Sequence, residues 1–500
     1  MTGDLLFVGG DLSGIQKFIY SISSKRAMVS LKGRSAYLKI LTDEVCDEIL
    51  KKIGCTPQEE NEMRIYCSGG KFYLQVPDTP SIRKAIKEVC LETEKKLWNE
   101  HKGQLSMNIA YVPFCYEGDQ VIIGQETGKI GILWKHITEK FNALKSQKFK
   151  SQLLDDYEEF FEVQKVGGED ARVCQVTGIE GAEVFPSPFE GDEKGLCVLK
   201  SVNDQIVRGV NLSKSQGIKM LEDYAGDSYL GVLRMDVDGL GARFIKGFKS
   251  MSEYREFSSA LEKFFDAEKG ILHIIQQEYQ DFLHIVYAGG DDIFAVGRWD
   301  MVIEFAEEVS KEFKRYCTTK LSDQDLSISG GVAIVNPRFP IAKAAEMAGE
   351  AEDAAKRYNN GKKNAFNMFG ESIAWTDSEF GYVKSYKDQF VALINNEGLS
   401  RSILHKIKSY ASIVKDNQLI EAENKKGNTK RKPNMSYMWH TAYYLTRFMS
   451  KEKGMTAVRA FCMDLRDKQL LTPEKFRLMS IAARWAELTL KMNENNSNNK

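Results

Sequence analysis

Met235-Asp236-Val237-Asp238-Gly239 closes the apolar run that begins at Tyr229 and opens a run with helical spacing. Side chains alternate along a strand, so Asp236 and Asp238 are expected on one face. Gly239 and Gly241 follow, and without a Cβ they let backbone N–H groups at a helix start approach a phosphate. One hairpin further on, Gly289-Gly290-Asp291-Asp292 joins two apolar strands, 282–288 and 293–296. Alone, Gly-Gly-Asp-Asp is simply a good turn. Combined with Asp-x-Asp at a strand end, it marks a candidate acidic centre of Asp236, Asp238, Asp291 and Asp292.

The surrounding periodicity predicts helices over 239–248 and 253–278, a helix over 300–318, a strand over 326–335 and an alanine-rich helix over 340–358. The same order occurs earlier. A strand at 4–10 leads to helices at 13–24 and 35–52. A hairpin with strands 64–67 and 72–76 follows around Ser68-Gly69-Gly70-Lys71, then a helix over 80–100 and a strand over 105–113. Identity between the copies is slight, so the repeat lies in element order. Both copies read as ferredoxin-like units with antiparallel sheets, which makes the fold class α+β. The expected domains are 1–150, a Gly-, Asp- and Glu-rich intervening region at 151–225, 226–375, and a helical region at 376–500. A basic, breaker-rich loop at 424–433 interrupts the last of these, and the Asn-rich tail 493–500 is expected to be disordered.

The 500 residues are 43% hydrophobic and 28% charged, ordinary for a globular protein with a substantial core. Lys plus Arg number 69 against 70 Asp plus Glu, a net charge of −1, so nucleic acid would have to be met through local basic patches. There is no apolar stretch of membrane-spanning length and no signal-peptide pattern, and a cytoplasmic protein without membrane contact is expected. The nine cysteines are odd in number and irregularly spaced, which suits reduced thiols.

Four neighbouring carboxylates repel one another, and divalent cations relieve that repulsion. Mg²⁺ or Mn²⁺ takes oxygen ligands and bridges carboxylates to phosphates. Two such ions, held by Asp236, Asp291 and Asp292, suit attack of a 3′-hydroxyl on an α-phosphate with departure of pyrophosphate.

On these motifs the sequence resembles the large subunit of type III CRISPR effector complexes, closest to the Csm type. The matching stretches are Gly10-Asp11-Leu12-Ser13-Gly14-Ile15-Gln16-Lys17-Phe18-Ile19-Tyr20, Leu31-Lys32-Gly33-Arg34-Ser35 and Ser68-Gly69-Gly70-Lys71-Phe72. In the second copy they are Asp236 to Gly241, Gly289 to Asp292 and Gly330 to Val335. The resemblance covers nearly the whole chain and is weakest after 376. It implies two palm domains, the second converting ATP into cyclic oligoadenylate when target RNA binds. It also implies crRNA, target RNA and the other subunits of such a complex as partners. For nucleotide binding it implies Gly239, Gly241, Gly289 and Gly290, with Ser258 in Phe257-Ser258-Ser259 and Lys363 in Lys363-Asn364-Ala365. The first palm, with Gly69-Gly70-Lys71 in place of the acidic turn, is expected to hold a second ATP without catalytic metals, Ser13 and Gln16 contributing.

Two departures from the family pattern stand out. Many members carry an HD nuclease domain ahead of the first palm. Here the palm motifs begin almost at Met1 and none of the six histidines precedes an Asp, so DNA cleavage by such a domain is not expected. Members often have zinc held by two Cys-x-x-Cys pairs, but Cys174 is matched by Thr177 and Cys197 by Lys200, so no structural zinc is expected. Lys25, Arg26, Lys32 and Arg34 read as a solvated face, with RNA phosphates the alternative, and the 425–432 loop leaves the same two readings open. Trp439, Tyr443, Tyr444, Leu445 and Phe448 read as a helix core, and Arg357-Tyr358 as a plain helix end. The competing functions are a silent scaffold for guide RNA and a free-standing nucleotide cyclase. An idle acidic cluster would only destabilise the fold, which argues against the scaffold.

Overall fold

The computed structural model describes residues 4–498 apart from 21–26, 156, 162–220, 227, 247, 267–268, 322, 324, 427–430, 452–455 and 471. Cys174, Thr177, Cys197 and Lys200, on which the zinc expectation rests, lie outside the described residues, as do Lys25 and Arg26. Contacts divide the chain into two units, Met1–Ser329 with Ile334–Gly349, and Gly330–Ala333 with Glu350–Lys500.

The first sheet of unit one grows from β1 (Leu5–Ser13), a nearly wholly buried strand with antiparallel partners on both sides. It runs past Gly10 because β4 (Ser106–Glu117) supplies partners as far as Ser13↔Ser106. The chain turns only at Gly14, at φ +95°, where any Cβ would collide with the Gln104 carbonyl oxygen. There follow α1 (Ile15–Tyr20), α2 (Ala27–Ile53) and α3 (Pro57–Met63), the last begun by a Thr56–Glu59 capping box. The hairpin of β2 (Arg64–Ser68) and β3 (Lys71–Pro77) and the helix α4 (Pro80–His101) fall where periodicity predicts them. β5 (Gln120–Ile123) and β6 (Glu126–Gly128) complete the order β2-β3-β1-β4-β5-β6. The helices α5 (Gly131–Lys145), α6 (Lys150–Asp155) and α7 (Tyr157–Phe161) close this half.

After α8 (Leu221–Ala225), β7 (Leu230–Val237) is the spine of the second sheet. It leads to α9 (Leu240–Lys246), α10 (Met251–Phe265) and α11 (Ile271–Tyr279). The single helix expected over 253–278 is thus two helices. Gly270, extended at φ −79° and ψ −178°, starts the second, and a Cβ there would sit 2.6 Å from the carbonyl oxygens of both Lys263 and Asp266. β8 (Leu283–Gly289), β9 (Asp292–Arg298), α12 (Trp299–Tyr316), β10 (Ile328–Val335) and α13 (Ile341–Gly361) follow. Within unit one the strand order is β10-β7-β9-β8. The two halves pack through aromatic contacts: Trp134 meets Tyr254 with ring centroids 4.0 Å apart, and Tyr20 meets Phe294 at 4.8 Å. Each such pair adds about 0.5–1.5 kcal/mol beyond its burial. The Arg255 guanidinium also donates across the join to the Glu62 carbonyl.

In unit two, Gly330 and Gly331 of β10 pair in parallel with β11 (Ala365–Met368), which pairs with β12 (Glu371–Ala374). The helices are α14 (Tyr382–Asn396), α15 (Ser402–Lys425), α16 (Ser436–Lys451), α17 (Thr456–Asp464) and α18 (Pro473–Asn498), with α14 and α15 packed on α18. The fold class is α+β, two palm-like sheets followed by helices, as the sequence predicts.

Four local expectations need correction. α16 buries Tyr437, Thr441, Leu445 and Met449, one residue per turn, while Trp439 and Tyr443 are 60% and 59% exposed. Two positions along a helix is more than half a turn, so the aromatic pair faces away from the core. Arg34 is buried, not solvated: its guanidinium donates to the Phe18 carbonyl and lies 4.8 Å from the Phe18 ring. Tyr358 leaves helical geometry, its hydroxyl donating to Glu379 (2.9 Å) and accepting from Arg477 (2.8 Å), so that helix end is part of a polar network. The Asn-rich tail continues α18 to Asn498.

Candidate metal and nucleotide centre

The antiparallel register of β7 and β9 sets Asp236 directly opposite Asp292. Directly opposed residues share a face, and two like charges there disfavour the pairing. Asp291 sits in the β8–β9 turn. Its N–H donates to the Gly289 carbonyl (2.8 Å) and its own carbonyl accepts from the Val237 N–H (3.1 Å). One oxygen each from half-buried Asp236, Asp291 and Asp292 falls within 4.8 Å of the others, the one such metal-type group among the described residues. The donor set is all carboxylate oxygen, which fits a hard divalent ion such as Mg²⁺ or Mn²⁺.

The field of these carboxylates reaches the neighbouring phenols. Burial first, then Asp292 and Asp291, push the Tyr287 phenol well above its ordinary value. Tyr66 of the first sheet is raised by burial and then Asp291, and Tyr73 by burial, Asp11 and Asp291. All three remain neutral hydroxyls at physiological pH.

Asp238 is not brought into this group. β7 ends at Val237, and the alternation rule ends with the strand. The Asp238 N–H donates to the Ser327 carbonyl (2.8 Å), and its carboxylate accepts from the hydroxyls of Ser327 (2.7 Å) and Ser329 (2.8 Å). It is 7% exposed. The expected four-carboxylate centre is therefore three carboxylates, with a fourth that fastens the β7–α9 turn to β10. The serines are missed by motif reading: β10 begins only at Ile328, so strand alternation does not reach Ser327, which is set beside Asp238 by the bond from the Asp238 N–H to its carbonyl.

Gly239 is exposed at φ +73°, and no atom lies within 4 Å of where a Cβ would sit at Gly239 or Gly241, so the approach to this turn is open. Gly289 and Gly290 lie in close contact with the first sheet's hairpin. Ser258 is 2% exposed on the packed face of α10. Lys363 belongs to unit two, in the link between α13 and β11 at φ +60°. The Ser13 hydroxyl accepts from Asn108 (2.9 Å), and the exposed Gln16 accepts from Arg234 of β7 (3.4 Å).

The first sheet carries the same frame with different charges. Asp11 stands opposite Lys71 as Asp236 stands opposite Asp292, and Gly69-Gly70 fill the turn held by Gly290-Asp291. Asp11, 5% exposed, is ion-paired with Lys145 at 2.5 Å. An ammonium occupies the role that a metal would have, and the position opposite is cationic. Comparing the two turns alone does not reach Asp11; the strand register does.

Fold and site together define a pair of palm units of nucleotidyl-cyclase type, one with an acidic turn and one without. Residues 4–165 match the family described as Csm1 subunit domain B, and residues 229–367 the family described as Cas10/Cmr2, second palm domain. Both matches are to Cas10/Csm1-type families, and together with the relatives that follow they support a Csm-type large subunit of type III CRISPR effectors as what this chain resembles. It is similar to the protein of Enterococcus italicus named CRISPR system single-strand-specific deoxyribonuclease Cas10/Csm1 (subtype III-A), 27% identical with 80% of this chain and 59% of that protein covered. The Mycobacterium tuberculosis protein of the same name is 25% identical, with 73% and 54% covered. The chain thus spans less than two thirds of the length of these relatives. Among solved structures, an apo Csm1–Csm4 cassette superposes with TM-score 0.64 at 21% identity, covering 97% of this chain and 70% of that one. The Csm1–Csm4 cassette in complex with cA4 gives 0.59 at 20% identity, covering 96% and 70%. No helix among the described residues is long and apolar enough to cross a membrane.

Proposed function

We propose that the second palm joins ATP into cyclic oligoadenylate within a guide-RNA-directed complex, in response to target RNA. The observation that carries this reading is the convergence of Asp236, Asp291 and Asp292 at the open Gly239–Gly241 turn. A structural neighbour in complex with cA4, and another with AMPPNP, support the choice of an adenine nucleotide.

Bound divalent ions would supply activation of the attacking 3′-hydroxyl and stabilisation of the departing pyrophosphate. The residues themselves do the rest. Asp236, Asp291 and Asp292 hold the ions; Gly239 and Gly241 admit the triphosphate to backbone N–H groups at the start of α9; Asp238 keeps that turn against β10. Ser258 and Lys363 are proposed nucleotide contacts. In the first palm, Ser13 and Gln16 are proposed to meet a second ATP, with Lys71 and Lys145 in place of a metal. Partners of this chain are proposed to be crRNA, target RNA and a subunit comparable to the Csm4 of the neighbouring structures.

The test is labelled ATP with Mg²⁺ or Mn²⁺, with and without target RNA, on the assembled complex. Ring products that require RNA support the proposal; products without RNA indicate a free-standing cyclase, and none under any condition indicates a scaffold. Asp291→Ala with Asp292→Ala lowers turnover at least ~100-fold, about 2.7 kcal/mol of barrier.

A further inference from the structure

The turns of the two hairpins touch tip to tip. A Cβ at Gly69 would lie 3.0 Å from the Gly289 carbonyl carbon and oxygen and from the Gly290 nitrogen. A Cβ at Gly289 would meet the Gly69 Cα at 3.0 Å, and one at Gly290 the Tyr66 hydroxyl at 3.0 Å. Backbone therefore rests on backbone, an approach only glycine permits.

The first-palm turn is itself backed. The Leu12 N–H donates to the Gly70 carbonyl (2.8 Å), and a Cβ at Gly70 would lie 2.5 Å from the Ile15 side chain. It cannot recede without displacing β1 and α1. On its other side, the acidic turn is tied to β7 by the Val237-to-Asp291 hydrogen bond. Three like charges within 4.8 Å push that turn apart, and it is held between β7 and the first palm.

We propose that the first palm positions the metal-binding turn of the second, with Gly69 and Tyr66 as positioning residues. The inference rests on the metal reading of Asp236, Asp291 and Asp292. It gives the palm that lacks an acidic turn a task separate from any nucleotide it holds. The carboxylates must converge before an ion arrives, and a ligand set displaced by a fraction of an ångström binds more weakly.

The experiment measures Mn²⁺ affinity by electron paramagnetic resonance of free Mn²⁺, with thermal unfolding recorded in parallel. Gly69→Ala is compared with Gly118→Ala. Gly118 lies in the β4–β5 turn at φ +59° with no atom within 4 Å of a Cβ, so it carries the same backbone strain without the contact. Gly118→Ala is expected to lose the thermal stability that the shared backbone strain costs, and Gly69→Ala that loss plus the cost of the contact. Only Gly69→Ala is expected to weaken Mn²⁺ binding, by about tenfold or about 1.4 kcal/mol. Tyr66→Phe, which keeps the ring and the fold, is expected to weaken it severalfold. Unchanged affinity in Gly69→Ala, or an equal loss in Gly118→Ala, overturns the proposal; unchanged affinity in Tyr66→Phe alone removes Tyr66 from it. Asp291→Ala with Asp292→Ala separates the two levels. If that variant keeps its Mn²⁺, the metal reading itself is wrong; if it loses Mn²⁺ while Gly69→Ala does not, only the bracing role is.

Discussion

Replacing Ser327 and Ser329 together by alanine isolates the second aspartate of the Asp-x-Asp motif. In the folded chain both hydroxyls, at 2.7 and 2.8 Å, donate to one carboxylate oxygen of a residue only 7% exposed. A hydrogen bond to a charged group contributes about 1.5–3 kcal/mol, and a buried charge stripped of donors also bears its desolvation. Two bonds sharing one acceptor are less than additive, so about 3–5 kcal/mol of destabilisation is expected. Calorimetric unfolding in EDTA measures it. Asp238→Asn completes a double-mutant cycle: with the charge gone, the serines matter less, and a coupling of about 2 kcal/mol is expected. Mn²⁺ affinity should stay within about twofold in the serine variant, because Asp238 lies outside the three-carboxylate group. A stability change below about 1 kcal/mol with no coupling refutes the fastening role. A loss of Mn²⁺ binding as large as that of Asp236→Asn would make Asp238 a ligand.

Asp292→Asn removes one of two directly opposed carboxylates. In EDTA it should raise stability by about 0.2–1 kcal/mol. It should also abolish the stabilisation by Mn²⁺, about 2.7 kcal/mol at a hundredfold excess over Kd in the parent. His101, 5% exposed and hydrogen-bonded to Tyr37 at 2.7 Å, is pushed down to about 4 by burial and then by Arg34. The unfolded chain takes up that proton near pH 6.5. Stability from this group is therefore complete above pH 6.5 and falls as pH drops towards 4, by about 3 kcal/mol. A His101→Gln protein should show a correspondingly flatter profile in denaturant titrations. Trp439→Ala should change stability by no more than about 0.5 kcal/mol, whereas Tyr437→Ala, one face round the same helix, should cost about 3–5 kcal/mol. Chemical denaturation of the two variants checks the assignment of the buried face.

Most of the frame was legible because it follows from local pattern. β2, β3, α4 and α12 begin and end within a few residues of where periodicity and turn residues place them. The convergence of Asp236, Asp291 and Asp292 was legible too, because a strand end and a hairpin turn are both local signals. What sequence concealed was set by partners. β1 is longer than its apolar run because β4 pairs with its polar end. Asp238 leaves the face of Asp236 because its strand stops one residue earlier. Arg34 is buried because an arginine can bury its stem and satisfy its head on a carbonyl, which composition cannot reveal. Trp439 and Tyr443 were misplaced because an aromatic helix suggests a core until the competing face, Tyr437 to Met449, is known to be the buried one. Ser258 and Lys363 came from motif likeness, and the fold puts them in different units.

Diffraction at the manganese edge, from crystals of the chain grown with Mn²⁺ and a non-hydrolysable ATP analogue, reads the site itself. Anomalous density bounded by the carboxylates of residues 236, 291 and 292, with the analogue's phosphates beside Gly239 and Gly241, is the outcome this account requires. Density centred elsewhere, or phosphates bound with those three side chains turned away, would contradict it.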